Sequence, residues 1–278
     1  MGAAMIRLRL PHCGIHVILI AGSAVMLAPF AWQFLTSVKS LNEATQVPPT
    51  LWPTQWIWTN YSDVFIHIPY AMMYLNTVLY AIIRTAGQLL FCSAAAYAFA
   101  RLRFPGRGLI FAVCLSALMI PPELFILSQY QIMKGLGWLN TLQALFTPTI
   151  FSAFGTFLLR QFFVSLPIDV EEAARLDGCG PFQIYWRVML PLAKPGLVAL
   201  GILTVIAAWS DLLWPLIVNT QPQKMTLAVG LATLQGEFTV NYPVIMAAAL
   251  IATAPLVLVF LFMHRRVVEG IAMSGSKG

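Results

Sequence analysis

Apolar residues run in six stretches of membrane length, at about 13–36, 71–98, 108–128, 142–164, 197–219 and 243–264. Pro, Gly and polar residues gather between them, as chain breakers do. A helix needs about 20 residues to cross a hydrocarbon core about 30 Å thick. The pattern therefore predicts an all-α integral membrane protein with six transmembrane helices. Three parts follow from it: 1–70, a first helix and the loop after it; 71–264, a core of spans; and 265–278, a short tail. Inside the core, about 165–196 is a polar island between two apolar stretches. No soluble domain, repeat or low-complexity run interrupts the pattern.

Composition agrees. Hydrophobic residues make up 59% of the 278 positions and charged ones 9%, against about 25% charge in a soluble domain. The formal charge of +6 could suit nucleic acid, but no basic patch is interleaved with aromatics. The basic residues flank the apolar stretches instead. With the N-terminus inside, the cytoplasmic segments hold Arg7, Arg9, Arg101, Arg103, Arg107, Arg160, Arg175, Arg187, Lys194, Arg265, Arg266 and Lys277. The opposite face holds Lys39, Lys134 and Lys224. By the positive-inside rule both termini are then cytoplasmic, and so is the polar island. Arg7 and Arg9 before an apolar run also fit a secretory leader, but the run continues to about Leu35. That exceeds the 7–15 residues of a leader's apolar region, so a retained first helix is expected. Cys13, Cys92, Cys114 and Cys179, and the four scattered histidines, have no metal-ligand spacing, so no metal site, disulfide or catalytic centre is assigned.

The polar island reads as two short helices around a glycine turn. Pro167 stops the preceding span. Asp169 is placed to cap a helix at about 170–177 whose third position is Glu172. Gly178 suits the left-handed turn that ends it. Pro181 suits the first turn of a second helix, expected to run to about Leu190 and to break before Pro191. Ala173 and Ala174 would let a partner approach closely, Glu172 and Arg175 would supply charges, and Phe182, Tyr185 and Trp186 apolar anchors. A merely solvated connector is the blander alternative.

Two charges lie within the apolar stretches, Arg84 in the second and Asp211 in the fifth. Each costs about 2.5–3.5 kcal/mol on insertion scales, so each must face protein or water. Asp211 either lines a translocation path, with Trp209 and Trp214 as stacking faces for sugar rings, or belongs to a structural ion pair. Arg84 is expected against a partner subunit or an acidic residue. The 38–70 segment, with Trp52, Trp56 and Trp58 among several prolines, suits an interfacial aromatic belt, a protein-binding surface, or both. The chain has no G-x-x-x-x-G-K-[ST] phosphate loop, so it is read as a transport subunit and not an enzyme.

Glu172-Ala-Ala, three residues, Gly178, nine residues, then Val188-Met-Leu190-Pro191 resembles the EAA loop of ABC importer permeases, which docks on the ATP-hydrolysing subunit. Val188 stands where that family usually has Ile. Ala96-Tyr-Ala-Phe-Ala-Arg-Leu-Arg-Phe-Pro-Gly106, Asn60-Tyr-Ser-Asp-Val-Phe65 and Trp209-Ser-Asp-Leu-Leu-Trp-Pro-Leu216 narrow the resemblance to the carbohydrate-uptake branch, relatives of the maltose-transporter permeases. Ser210 stands where that branch commonly has Asn. The resemblance covers essentially the whole chain and implies a type I ABC importer fold. It implies a second homologous permease, two nucleotide-binding subunits carrying ATP and Mg, and an extracytoplasmic solute-binding protein. This chain itself would bind membrane lipid but no cofactor and no nucleic acid. The ATPase-coupling positions would be Glu172, Ala173, Ala174, Arg175, Asp177, Gly178, Leu190 and Pro191. The implied setting is a bacterial or archaeal plasma membrane, and the implied cargo a sugar or oligosaccharide. Glycerol phosphates, polyols, amino sugars or peptides on the same fold are the nearer alternative. A channel or secondary transporter is the more distant one, and would not need the island.

Overall fold

The computed structural model describes residues 12–235 and 240–275, and every regular element among them is helical. Arg7, Arg9 and Lys277 lie outside the described residues, and so do the side chains of Arg265 and Arg266. The chain forms two compact units, Met1–His67 with Leu234–Ile251, and Ile68–Thr233 with Ala252–Gly278.

The first unit contains α1 (His12–Ser37), α2 (Leu41–Thr45), α3 (Thr59–His67) and the start of the last helix, α15 (Tyr242–Gly275). The membrane-length part of α1, Gly14–Ser37, has none of its apolar window buried within the chain. An apolar helix with no buried face suits lipid or another chain as its surroundings. The loop after it is tightly built. The Asn60 side-chain amide donates to the carbonyls of Ser37 and Lys39, both at 2.9 Å, which ties the start of α3 to the end of α1. Trp52, Trp56 and Trp58 are exposed, and the last two stack at 6.0 Å.

The second unit is organised by α4 (Tyr70–Arg101). Against it pack α8 (Ala153–Ser165) and α12 (Lys194–Trp209). The other elements are α5 (Arg107–Ser116), α6 (Ile126–Gly135), α7 (Leu142–Phe146), α9 (Ile168–Leu176), α10 (Pro181–Gln183), α11 (Leu190–Leu192), α13 (Leu213–Val218) and α14 (Leu227–Thr233). Among the described residues, Cys92, Ala96, Leu159, Phe163 and Leu200 build one apolar core, and Tyr80, Ala81, Leu145, Ala208 and Trp214 build another.

The described residues do not reproduce six straight spans. Two helices are long and apolar enough to cross a membrane unbroken, Gly14–Ser37 and Tyr70–Arg101. Three others are bent pairs: Arg107–Met119 with Pro122–Gly135 at 96°, Leu142–Thr149 with Ala153–Ser165 at 48°, and Pro181–Leu192 with Lys194–Trp209 at 75°. Tyr242–Leu258 is a shorter apolar helix. The stretch expected as one helix over 197–219 stops at Trp209 and resumes at Leu213. Pro215 explains the break. A continuous helix would need its missing N–H to bond the Asp211 carbonyl, and its ring would collide there. Beginning α13 at Leu213 puts Pro215 in a first turn, where no N–H is required.

Candidate functional site

The polar island folds as expected in outline, with three differences that define its chemistry. Helix α9 starts at Ile168 with Pro167 as its N-cap, so Asp169 lies inside the first turn and makes no side-chain cap. Its acidic side chains still complement the positive end of the helix. At the other end Gly178 adopts φ +82°. Its N–H bonds the Arg175 carbonyl, and that of Cys179 bonds the Ala174 carbonyl, both at 3.0 Å. That pair of bonds is the Schellman ending, which satisfies carbonyls the helix would otherwise leave bare. Pro181 then begins α10, with the Gly180 N–H donating to the Gln183 side-chain oxygen at 3.1 Å.

The second difference follows α10. Residues Ile184–Met189 form a π turn, closed by the Leu190 N–H on the Tyr185 carbonyl, and the chain stays helical through Pro191 to Leu192. The expected break before Pro191 therefore falls later, at Ala193. One extra residue in the turn accommodates a proline that cannot donate to the ladder. The π turn also directs Tyr185 inward. Its ring is 5% exposed, and its hydroxyl is 2.8 Å from Ser93 Oγ on α4. Tyr185 is thus a fixture of the core, unlike Phe182 and Trp186, which are 75% and 52% exposed.

The third difference concerns the two adjacent carboxylates. Glu172 is exposed, as are Ala173, Arg175, Asp177, Gly178 and Pro191, while Ala174 is buried and Leu190 half-buried. Glu171 instead points inward, with its side chain 2% exposed. Its two oxygens meet Arg175 Nη2 at 2.6 Å and Arg101 Nε at 3.8 Å. Arg101, at the end of α4, is nine-tenths buried. It donates to the Phe163 carbonyl through Nη2 at 2.6 Å and Nε at 3.1 Å, and to the Leu166 carbonyl. A cation at the C-terminus of α8 meets the negative end of that helix. One guanidinium therefore ties α4, α8 and α9 together. Glu171 and Arg101 were not singled out in the sequence; the available signal was a second carboxylate beside Glu172 and an arginine closing a span.

The intramembrane charges find each other. Arg84 Nη1 lies 3.3 Å from Asp211 Oδ2 and donates to the Tyr80 hydroxyl at 2.8 Å, while that hydroxyl donates to Asp211 at 2.7 Å. Asp211 sits in the break between α12 and α13. The two tryptophans assigned with it are placed differently. Trp214 is 7% exposed in the core and donates its N–H to the Ala144 carbonyl at 2.9 Å. Its faces are occupied by packing. Trp209 is half-buried, donates to the Ala252 carbonyl at 3.0 Å and meets Tyr74 edge-on at 5.7 Å.

A sequence model of one family, "Binding-protein-dependent transport system inner membrane component", matches residues 51–272. The chain belongs to that family. Relatives share most of its length. The sn-glycerol-3-phosphate transport system permease protein UgpE of Pectobacterium atrosepticum is 34% identical over 93% of this chain and 95% of its own. The arabinooligosaccharides transport system permease protein AraQ of Halalkalibacterium halodurans is 37% identical over 73% of each chain. The sulfoquinovosyl glycerol transport system permease protein SmoH of Agrobacterium fabrum is 35% identical over 91% and 89%. A crystal structure of a bacterial ABC transporter involved in the import of the acidic polysaccharide alginate contains a chain of the same fold. Its TM-score is 0.79 at 24% identity, covering 91% of this chain and 95% of that one. The all-α permease fold and a membrane location thus follow from family and structure together. Among the described residues no group of three or more His, Cys, Asp or Glu could hold a metal ion.

Proposed function

We propose that this inner-membrane component carries a sugar or oligosaccharide, with ATP hydrolysed by a partner subunit docked on the face of Ile168–Leu192. The observation that carries the docking surface is the division of labour along α9. Glu171 and Ala174 face inward and fasten the helix, leaving Glu172, Ala173 and Leu176 outward, Leu176 at 89% exposure. An exposed apolar residue beside a carboxylate and a small residue suits a protein contact better than open solvent. The partners would be a second permease, two ATPase subunits and a solute-binding protein, with the Ile168–Leu192 face in the cytoplasm, where the positive-inside rule puts it.

A displacement of α9 would pull on the ends of α4 and α8 through Arg101, and on α4 again through the Tyr185–Ser93 contact. This is a rigid path from the docking face to helices of the core. Asp211, with Trp209 near the helix break, is the part of the translocation path this chain would contribute. Discontinuous helices are where transporters expose backbone and polar groups to cargo.

Arg84 is neutralised by Asp211, which suits an uncharged cargo such as an oligosaccharide. A glycerol phosphate is the second reading, on the strength of the relative named for it. ATP-driven uptake in vesicles holding the complete complex decides both parts. Glu172→Lys should abolish uptake while the chain still folds and reaches the membrane; normal uptake by that variant would remove α9 from the coupling path. Competition of the labelled sugar by glycerol 3-phosphate would move the cargo to the second reading.

A further inference from the structure

Arg101 and Arg175 do more than hold Glu171. Together with Arg103 and Arg107 they line a cavity of about 510 Å³ at the end of α4. Four guanidinium groups face one carboxylate, leaving an excess of three positive charges in one concavity. Glu171 is already engaged by Arg101 and Arg175. Arg107 donates one N–H to the Leu102 carbonyl at 2.9 Å, which leaves most of its donors free. Arg103 is exposed and makes no hydrogen bond or ion pair among the described residues. So strong a positive field with unused, forked donors matches a phosphate oxygen cluster in charge and geometry.

The surroundings say which phosphate. Arg107 opens α5, and within two turns that helix presents Leu109, Ile110 and Val113 outward, at 72%, 51% and 63% exposure. The other side of α5 is engaged, since Phe111 packs on Phe99 at 5.2 Å and lies under Arg160 at 4.5 Å. A basic concavity thus continues directly into an apolar helix face. That sequence of polarity is the profile of an anionic phospholipid, with a phosphate head and hydrocarbon below. A free phosphate or a soluble phosphate ester would use the arginines but not the apolar face.

We propose that the Arg101–Arg103–Arg107–Arg175 cavity binds the phosphate headgroup of an anionic lipid, whose chains lie along α5. A lipid there would stand against Arg175 and Arg101, the two residues that fasten α9. Lipid charge would in that way stiffen the hairpin's attachment. The site needs only that the chain lies in a membrane, so it does not depend on the cargo. It shares Arg175 with the face proposed for the ATPase, while Arg103 and Arg107 lie outside that face.

The test is lipid retention by the intact complex in bilayer discs of equimolar phosphatidylglycerol and phosphatidylcholine, read by native mass spectrometry of the released permease. Phosphatidylglycerol should be retained preferentially. Arg103→Gln with Arg107→Gln should weaken that preference roughly 30-fold, the attraction typical of two basic side chains at an anionic surface. Arg103→Lys with Arg107→Lys should restore most of it. Neither residue holds α9, so the variants should keep their helical content. Equal retention of the two lipids by the unmodified chain would overturn the proposal without any variant. Displacement of the bound lipid by millimolar inorganic phosphate would also overturn it, and would assign the cavity to a free anion.

Discussion

Two polar segments of this chain each bury a glutamate, and they hold it in opposite ways. In α9, Glu171 is gripped by two arginines, one of which also closes the end of α8. In the 38–58 segment, Glu43 is 7% exposed, and no arginine among the described residues forms an ion pair with it. Its carboxylate accepts the Thr54 N–H at 2.9 Å and the hydroxyls of Thr50 and Thr54 at 3.1 Å, with Lys39 nearby donating to the Thr50 carbonyl. Lys39 also lies over the Trp32 ring at 5.0 Å. The first arrangement fastens separate helices to one another. The second folds a short loop around one side chain. A buried ion pair is rigid and is expensive to break from one side, because it leaves a charge behind. A hydrogen-bonded cage is local, and its weakness is protonation.

The contrast is broken most severely at Arg101. Arg101→Ala strips Glu171 of a counterion, and the Phe163 and Leu166 carbonyls of their donor. A loss of about 3–5 kcal/mol is expected, as for buried pairs that lose one member, measured as a lowered unfolding midpoint of the purified complex. A stable Arg101→Ala complex with full transport would dismiss the tie between α4, α8 and α9. Glu172→Gln, one residue from Glu171 but exposed, should leave the same midpoint unchanged within about 0.5 kcal/mol.

Asp211 extends the comparison into the apolar body. Asp211→Asn leaves Arg84 charged and should destabilise by about 2–3 kcal/mol, less than Arg101→Ala because the pair keeps some access to solvent. Arg84→Gln added to it should recover most of that loss. A double variant that regains stability but not transport would place Asp211 in the path as well as in the pair. Full transport by Asp211→Asn at normal expression would leave it a purely structural residue.

The backbone of the hairpin was legible because glycine and proline encode conformation directly. Gly178 and Pro181 marked the turn and the start of the second helix to the residue. The earlier start of α9 at Ile168, the π turn and the later break at Ala193 were not marked in this way. The side chains were less legible. Glu171 and Glu172 are equivalent as residue types, and consecutive helix positions point about 100° apart. Only the location of Arg101, some 70 positions earlier in the chain, selects which of them turns inward. The inward turn of Tyr185 depends on a π turn, for which the adjoining Pro191 gives no register. The pairing of Arg84 with Asp211, across a separation of 127 residues, was one of the open possibilities, and no local pattern could have chosen it. The helix break at Asp211 was written in the sequence as Pro215, four residues on.

Gly178 tests the hairpin at its least expensive point. A Cβ there would meet nothing within 4 Å, so Gly178→Ala carries only the penalty of a left-handed backbone. About 1 kcal/mol is expected, too little to unfold the unit. Transport reduced far more than that, with the complex intact, would mean that the turn's shape matters to the docked partner.

The smallest effect belongs to Glu43 and appears only in acid. Burial alone would raise its pKa, but the bonds from Thr54 and Thr50 and the charge of Lys39 outweigh burial and hold it below the ordinary carboxylate value. A depressed folded pKa contributes stability that is fully present above the unfolded value, about 4.3 for glutamate. That contribution is lost as pH falls through the lower folded value. Tryptophan emission from the exposed Trp56 and Trp58, followed from neutral pH downward, should therefore stay constant to below pH 4.3 and then change. Thr54→Val removes one donor and keeps the shape, so the change should begin at higher pH. In Glu43→Gln the acid-dependent step should vanish. An unshifted acid transition in Thr54→Val would mean that the Thr54 hydroxyl does not hold the charge, leaving the Thr54 N–H, the Thr50 hydroxyl and Lys39 to do so.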